Sequence, residues 1–197
     1  MQAKPIRLIV GLGNSGAEYL ATRHNIGFWF LDALAAEFSA AFRANRRLHG
    51  ETTRIKFEGD DRLLLKPDTF VNESGRAVRA ALDYFKYDAG ELLAVHDDLD
   101  LPPGTVRVKR GGGHGGHNGL RSIIRHVGAD FTRLRFGIGH PPRGAAVIDY
   151  VLSAPRHEEE SLILDAFAAA GAELQHLVAG DFEAAARVLH GRETVSR

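Results

Sequence analysis

The chain has 197 residues, 44% hydrophobic and 25% charged, the balance of a folded globular domain, which excludes a disordered tail or a fibrous protein. No apolar run approaches the roughly 20 residues of a membrane span, and residues 1–10 lack the apolar stretch and cleavage site of a signal peptide, so the expected location is cytoplasmic. The absence of cysteine excludes disulfides, thiolate metal sites and a cysteine nucleophile, and 25 basic against 25 acidic residues leave nucleic-acid binding to a local patch.

Residues 6–10 read as a first strand, a short β-rich run closed by glycine. Residues 28–38 are apolar around most of a helical circumference. The runs 53–57 and 62–65, split by a turn, suggest an antiparallel hairpin. Ala77, Val78, Ala81, Leu82 and Phe85 share a helical face; strands follow at 92–96 and 106–109. Leu120, Ile123, Ile124 and Val127 fall at i, i+3, i+4, i+7, with Gly128 suited to end that helix. A strand at 133–138 precedes one long Ala-rich helix at 162–178 and a last short helix at 182–190, capped by Asp181 and Gly191. Alternating strands and helices predict an α/β fold: a single-domain three-layer sandwich over 1–197, with a mixed, mostly parallel twisted sheet between helices. No repeat, low-complexity tract or linker divides the chain.

The unusual polar residues fall at strand exits. Gly11-Leu12-Gly13-Asn14, then Lys66-Pro67-Asp68-Thr69-Phe70-Val71-Asn72, then His96-Asp97-Asp98 each follow a predicted strand. Ligands of open α/β sheets bind outside the carboxyl ends of the strands, so the three segments are expected to converge. A fourth segment, residues 111–119, has six glycines in nine residues, with His114, His117 and Asn118 embedded immediately before a helix. Gly11 to Gly16 matches a dinucleotide-binding GxGxxG pattern, but residues 22–27 interrupt the helix it requires and Glu37, at about the spacing of the pattern's acidic residue, lies inside a helix, which argues against nicotinamide or flavin. Ser15 with His24 and Asp97 leaves a serine esterase open on paper, although the completing glycine of a nucleophile elbow is missing. His96, Asp97, His114 and His117 are suitable zinc ligands by type, without diagnostic spacing.

Together these segments resemble the peptidyl-tRNA hydrolases of the bacterial type, from Ile9-Val10-Gly11-Leu12-Gly13-Asn14 through Tyr19 and Thr22-Arg23-His24-Asn25-Gly27. Thr69 to Asn72 with Ser74-Gly75, His96 to Gly104, Gly111 to Leu120, and Arg133 to Pro141 follow in the family's order and spacing, so the resemblance covers essentially the whole chain. Ser15, Val71 and Asp98 depart from the proline, methionine and glutamate usual there; a family that works with proline at position 15 has no need of a serine nucleophile. The resemblance implies a metal-independent, cofactor-free and usually monomeric esterase that frees tRNA from prematurely released peptides, without membrane or obligate protein partner. It implies Asn14, His24, Asn72, Asp97 and Asn118 as active-site positions and Tyr19 as a residue of the same cleft. Phe70 and His117 join the substrate-binding set, and residues 139–152 are implied as a mobile cover.

Ester hydrolysis needs water made nucleophilic, and His24 is the expected general base, oriented by Asp97. The asparagines supply uncharged groups for the peptide or a developing oxyanion, without the sequence saying which serves the latter. For tRNA, Arg107 with Lys109 and Arg133 with Arg135 fall on strand faces, flanked by Arg110, Arg121 and Arg125. The resemblance favours Lys109 and Arg135 as holding the tRNA 5′-phosphate. The non-enzymatic alternative is an RNA-binding module using those strands, with no role for His24 or Asp97.

Overall fold

A computed structural model describes residues 4–191. In chain order these form β1 (Leu8–Gly11), α1 (Ile26–Glu37), β2 (Arg43–Asn45), β3 (Gly50–Phe57), β4 (Asp60–Pro67), α2 (Ser74–Phe85), β5 (Leu92–Asp98), β6 (Val106–Arg110), α3 (Asn118–Val127), β7 (Thr132–Gly137), α4 (Val147–Val151), α5 (His157–Ala172), α6 (Leu174–Ala179) and α7 (Phe182–Gly191). The sheet order is β2-β3-β4-β1-β5-β7-β6. The central strands β4, β1, β5 and β7 are mutually parallel, while β2 and β3 on one side and β6 on the other join by antiparallel pairing.

The period of two along the central strands builds both cores. Ile9, Leu64, Leu93, Val95, Leu134 and Phe136 point to one face, under α1, α5, α6 and α7. Leu8, Val10, Leu63, Leu65, Leu92 and Ala94 point to the other, under α2 and α3. Because both faces are covered, these strands are continuous apolar runs, and the three-layer α/β expectation holds. Among the described residues no helix is long and apolar enough to cross a membrane.

Several boundaries differ from expectation. The first strand begins at Leu8, because Ile6 and Arg7 give their N–H groups to Val178 and Glu91 outside the sheet. The edge strand β2 lacks any apolar alternation in its Arg-Ala-Asn and was invisible to patterning. The expected helix over 162–178 is two helices: Gly171 weakens the end of α5, and at Glu173 (φ −96°, ψ 9°) the chain turns before α6. Asp181 caps α7 as expected, its Oδ1 accepting from Ala184 N–H at 3.1 Å. Gly191 belongs to α7 itself rather than following it. Gly128, with φ 84°, does end α3.

Candidate active site

The exits of β1, β4 and β5 do meet, and two glycines explain how closely. A Cβ on Gly27, in the first turn of α1, would lie 2.4 Å from Leu12 N and 2.5 Å from Val95 O; one on Gly11 would lie 2.4 Å from Gly27 O. Without side chains at these points, α1 seats directly on the ends of β1 and β5, bringing the 3-10 turn Arg23–Asn25 over the sheet's carboxyl edge. Asn25 locks the neighbouring segment reciprocally: its Oδ1 accepts from Asn14 N–H at 2.8 Å and its Nδ2 donates to Asn14 O at 3.0 Å. Asn14 Oδ1 in turn accepts from Val71 N–H at 2.8 Å, joining the β4 exit. The amide orientation is thereby set, and the Asn14 NH2 group remains as a donor on the cleft wall.

At the floor lies Asp97, 3% exposed, at the end of β5. Its Oδ1 is 2.9 Å from His24 Nδ1 and 2.9 Å from His117 Nε2, and its Oδ2 is 3.1 Å from His24 Nδ1. Burial would raise the Asp97 carboxyl, but the charges and hydrogen bonds of the two imidazoles hold it well below the usual carboxylate range. An ionised carboxylate only accepts, so both imidazoles donate to it. His24 therefore carries its proton on Nδ1 and presents the Nε2 lone pair to the cleft, where it has no hydrogen bond to any of the described residues. Burial disfavours charge on His24, yet the Asp97 charge and hydrogen bond outweigh it and raise its pKa above that of an ordinary histidine. His117 is fixed from behind, its Nδ1 accepting from Gly119 N–H at 3.1 Å as the N-cap of α3. His96 gives Nδ1–H to the Asp97 carbonyl at 2.7 Å; burial above all pushes it to about 3, so it is neutral.

The cleft has a volume of about 740 Å³. One wall is the Gly-rich loop, which turns through positive φ at Gly111, Gly112, Gly115 and Gly116. Arg133, only 2% exposed, donates to the carbonyls of Gly112 and Gly113 and thereby anchors that loop. Its strand position suggested a tRNA contact; its role as a loop anchor was not legible, since carbonyl partners leave no mark in the sequence. Lys109 pairs in register with Arg133, and Arg107 with Arg135, so all four cations share a strand face. Lys109, Arg133 and Arg135 reach the cleft, whereas Arg107 turns to the end of α7, donating to Leu189 O at 3.1 Å. Arg135 also pairs with Asp98 at 2.8 Å; Lys109 has no ion-pair partner among the described residues.

The other expected site residues divide. Asn118 lies on the cleft rim and borders an adjacent groove, which also contains Asn72. Asn72 does not line the main cleft, because the 3-10 turn Val71–Glu73 carries it outward, away from buried Val71. Tyr19 is half-buried in the turn Ala17–Tyr19, its carbonyl accepting from Thr22 Oγ1 at 2.8 Å, and it does not line the main cleft. Phe70, extended in backbone (ψ 148°) before the turn Val71–Glu73, is 60% exposed and does not line the main cleft. His117 does line the cleft, but its Nε2–H is committed to Asp97.

Two other chemistries fare differently. Ser15 makes no hydrogen bond to His24 and does not line the cleft, so no base activates it. His24, Asp97 and His117 place their ligand atoms within 4.8 Å of one another, a size a metal ion could occupy. Both imidazole nitrogens facing Asp97 carry protons engaged with its carboxylate, however, and would have to lose them to bind a cation. His96 and His114 are not part of that cluster, so the zinc ligands suggested by type do not assemble.

A sequence model described as peptidyl-tRNA hydrolase matches residues 8–196. A peptidyl-tRNA hydrolase of Psychrobacter arcticus is 47% identical over 186 residues, covering 94% of this chain and 96% of that one. One from Neisseria meningitidis is 47% identical over 188 residues, covering 95% and 98%. A crystal structure of peptidyl-tRNA hydrolase from Acinetobacter baumannii superposes with a TM-score of 0.94 at 40% identity, covering 99% of this chain and 100% of that one.

Proposed function

The chain belongs to the peptidyl-tRNA hydrolase family, and from that premise we propose how its cleft hydrolyses the ester between a peptide and tRNA. His24 Nε2 takes a proton from water as the oxygen attacks the ester carbonyl carbon, and Asp97 stabilises the imidazolium that forms. The carbonyl π electrons move to oxygen, and Asn14 Nδ2 donates to that oxyanion. As the tetrahedral intermediate collapses, the C–O bond to the ribose breaks and His24 returns its proton to the leaving ribose oxygen, giving a peptide acid and free tRNA. What carries this reading is the Asp97 carboxylate accepting His24 Nδ1–H, which leaves an Nε2 lone pair facing the cleft.

Asn14 is the oxyanion donor in this reading because its Oδ1 is already occupied, unlike that of Asn72, and its NH2 is held toward the cleft. Asn72 and Asn118 serve the peptide backbone, while Lys109 and the free nitrogens of Arg135 hold the 5′-phosphate. Residues 139–152 act as a mobile cover. Supporting this, α4 contributes no buried residue, Val147 and Ile148 are 48% and 65% exposed on the cleft side, and anchoring comes from its ends. Residues 1–197 are read as one domain, working as a cytoplasmic monomer. Purified protein should turn over N-acetylaminoacyl-tRNA, and His24→Ala should lower kcat by at least about a hundredfold with tRNA affinity retained. Near-normal turnover in that variant would remove His24 from the chemistry.

A further inference from the structure

A second groove, of about 380 Å³, opens beside the cleft between α2 and α3, and Asn118 borders both. Its floor is a close helix contact: a Cβ on Gly75 would lie 2.3 Å from Ser122 O, and Gly75 N–H donates to Ser122 Oγ at 3.0 Å. Its walls are cationic. Arg76 comes from α2, Arg121 and Arg125 from α3, and Glu73 is the one carboxylate among the lining residues. None of the three groove arginines has a carboxylate within ion-pair distance among the described residues, Arg121 donating instead to Asn118 Oδ1 at 3.0 Å. Positive charge is thus left unneutralised in a concave site continuous with the reacting centre.

We propose that this groove receives the peptide N-terminal to the esterified residue and selects for acidic side chains there. The inference rests on the reading that places tRNA at Lys109 and Arg135. Those residues lie on β6 and β7, at one end of the sheet order, while the groove adjoins the exit of β4, beyond β5 and β1 in that order. With the ester at His24 between them, tRNA on one side leaves the peptide the other. The groove's chemistry agrees: Asn72 and Asn118 carry side-chain amides suited to a peptide backbone with N–H and C=O groups, whereas a phosphodiester only accepts. Carboxylates of the peptide would meet the unpaired guanidiniums.

The test uses one tRNA charged with N-acetyl dipeptides that differ only in the residue before the esterified one: Glu, Gln or Lys. The full-length protein should show kcat/KM in the order Glu, Gln, Lys, with about fivefold or more between the extremes, the scale of one unit-charge contact in water. Arg76→Gln with Arg125→Gln should abolish the preference, and Arg76→Glu with Arg125→Glu should reverse it. Thermal melts establish that both variants are folded. An unchanged order in the charge-reversed variant overturns the proposal. So does an equal loss on all three substrates with a flatter salt dependence, which would assign the groove to RNA phosphates. Lys109→Ala with Arg135→Ala, run in parallel, should lower all three equally and keep their order. If that variant alters the order instead, tRNA and peptide are exchanged and the proposal fails with the reading beneath it; if it has no effect while the arginine variants reverse the order, only the phosphate assignment fails.

Discussion

Replacing Asp97 by asparagine changes one atom, and the hydrogen-bond network fixes the consequence. His117 Nδ1 accepts from Gly119 N–H, so its Nε2–H must find an acceptor, which only the asparagine oxygen can provide. That oxygen takes the Oδ1 position, 2.9 Å from both His117 Nε2 and His24 Nδ1, and the new NH2 group takes the Oδ2 position, 3.1 Å from His24 Nδ1. One neutral oxygen must then accept from both rings while a new N–H donor faces the His24 Nδ1 proton. His24 relieves the conflict by moving its proton to Nε2, and the lone pair that faced water is lost. In proteases with a Ser-His-Asp triad, the same aspartate-to-asparagine change leaves the histidine in the wrong tautomer and costs roughly 10⁴ in kcat, about 5 kcal/mol. We expect a loss of about 10³ to 10⁴ in kcat here, with KM changed no more than a few-fold. The pH profile supplies a second readout. Asp97 raises the His24 pKa, so wild-type kcat/KM should climb through a pKa above 6.5; in the variant the acidic limb should shift toward lower pH. Turnover of N-acetylaminoacyl-tRNA across pH measures both quantities. A folded variant within tenfold of wild type, with an unmoved acidic limb, would refute the tautomer argument.

Lys109→Ala with Arg135→Ala should weaken full-length peptidyl-tRNA and leave a short 3′-terminal fragment ester nearly untouched, flattening the binding salt slope by about 0.7 to 0.9 for each phosphate no longer held. Equal losses on both substrates would instead put the pair in the chemistry or in folding. His96 stays neutral down to about 3 when folded but titrates at 6.5 unfolded, so the unfolded state binds more protons between these values and stability falls as pH drops through that window. His96→Asn retains an N–H for Asp97 O and should flatten that slope in urea melts between pH 6.5 and about 4; an unchanged slope would show that His96 is not its source. Arg23 ties the His24 turn to the end of the cover, donating to Ser153 Oγ at 2.7 Å, Ala154 O at 2.9 Å and Glu159 at 2.7 Å. Arg23→Gln leaves Glu159 without that partner and should cost about 3 kcal/mol, lowering Tm by about 6 to 12 °C, with kcat reduced as the turn loosens; an unaltered Tm and kcat would refute the anchoring role.

The family and the layered fold were legible in the amino-acid order, because both rest on local information. Strand runs such as Leu63 to Leu65 and Leu92 to Val95 are apolar on both faces, which requires helices on both sides of a sheet. The polar residues at the strand exits, Asn14 and Asp97 above all, announced a shared edge, and His24 stood in the family's order. Edge strand β2 and the turn at Glu173 escaped, since neither carries a periodic apolar signal. How the site residues are used emerges only once the chain is packed. That His117 is a second donor to Asp97, that Asn25 locks Asn14, and that Arg133 holds loop carbonyls are contacts over 11 to 21 positions of chain, between atoms that no spacing rule brings together. The same holds for placement: Tyr19, Phe70 and Asn72 sit at motif positions, yet none of them lines the main cleft and Asn72 borders the adjacent groove. Motif order specifies which residues approach one another, while burial and the need to satisfy every polar group fix the direction each one faces.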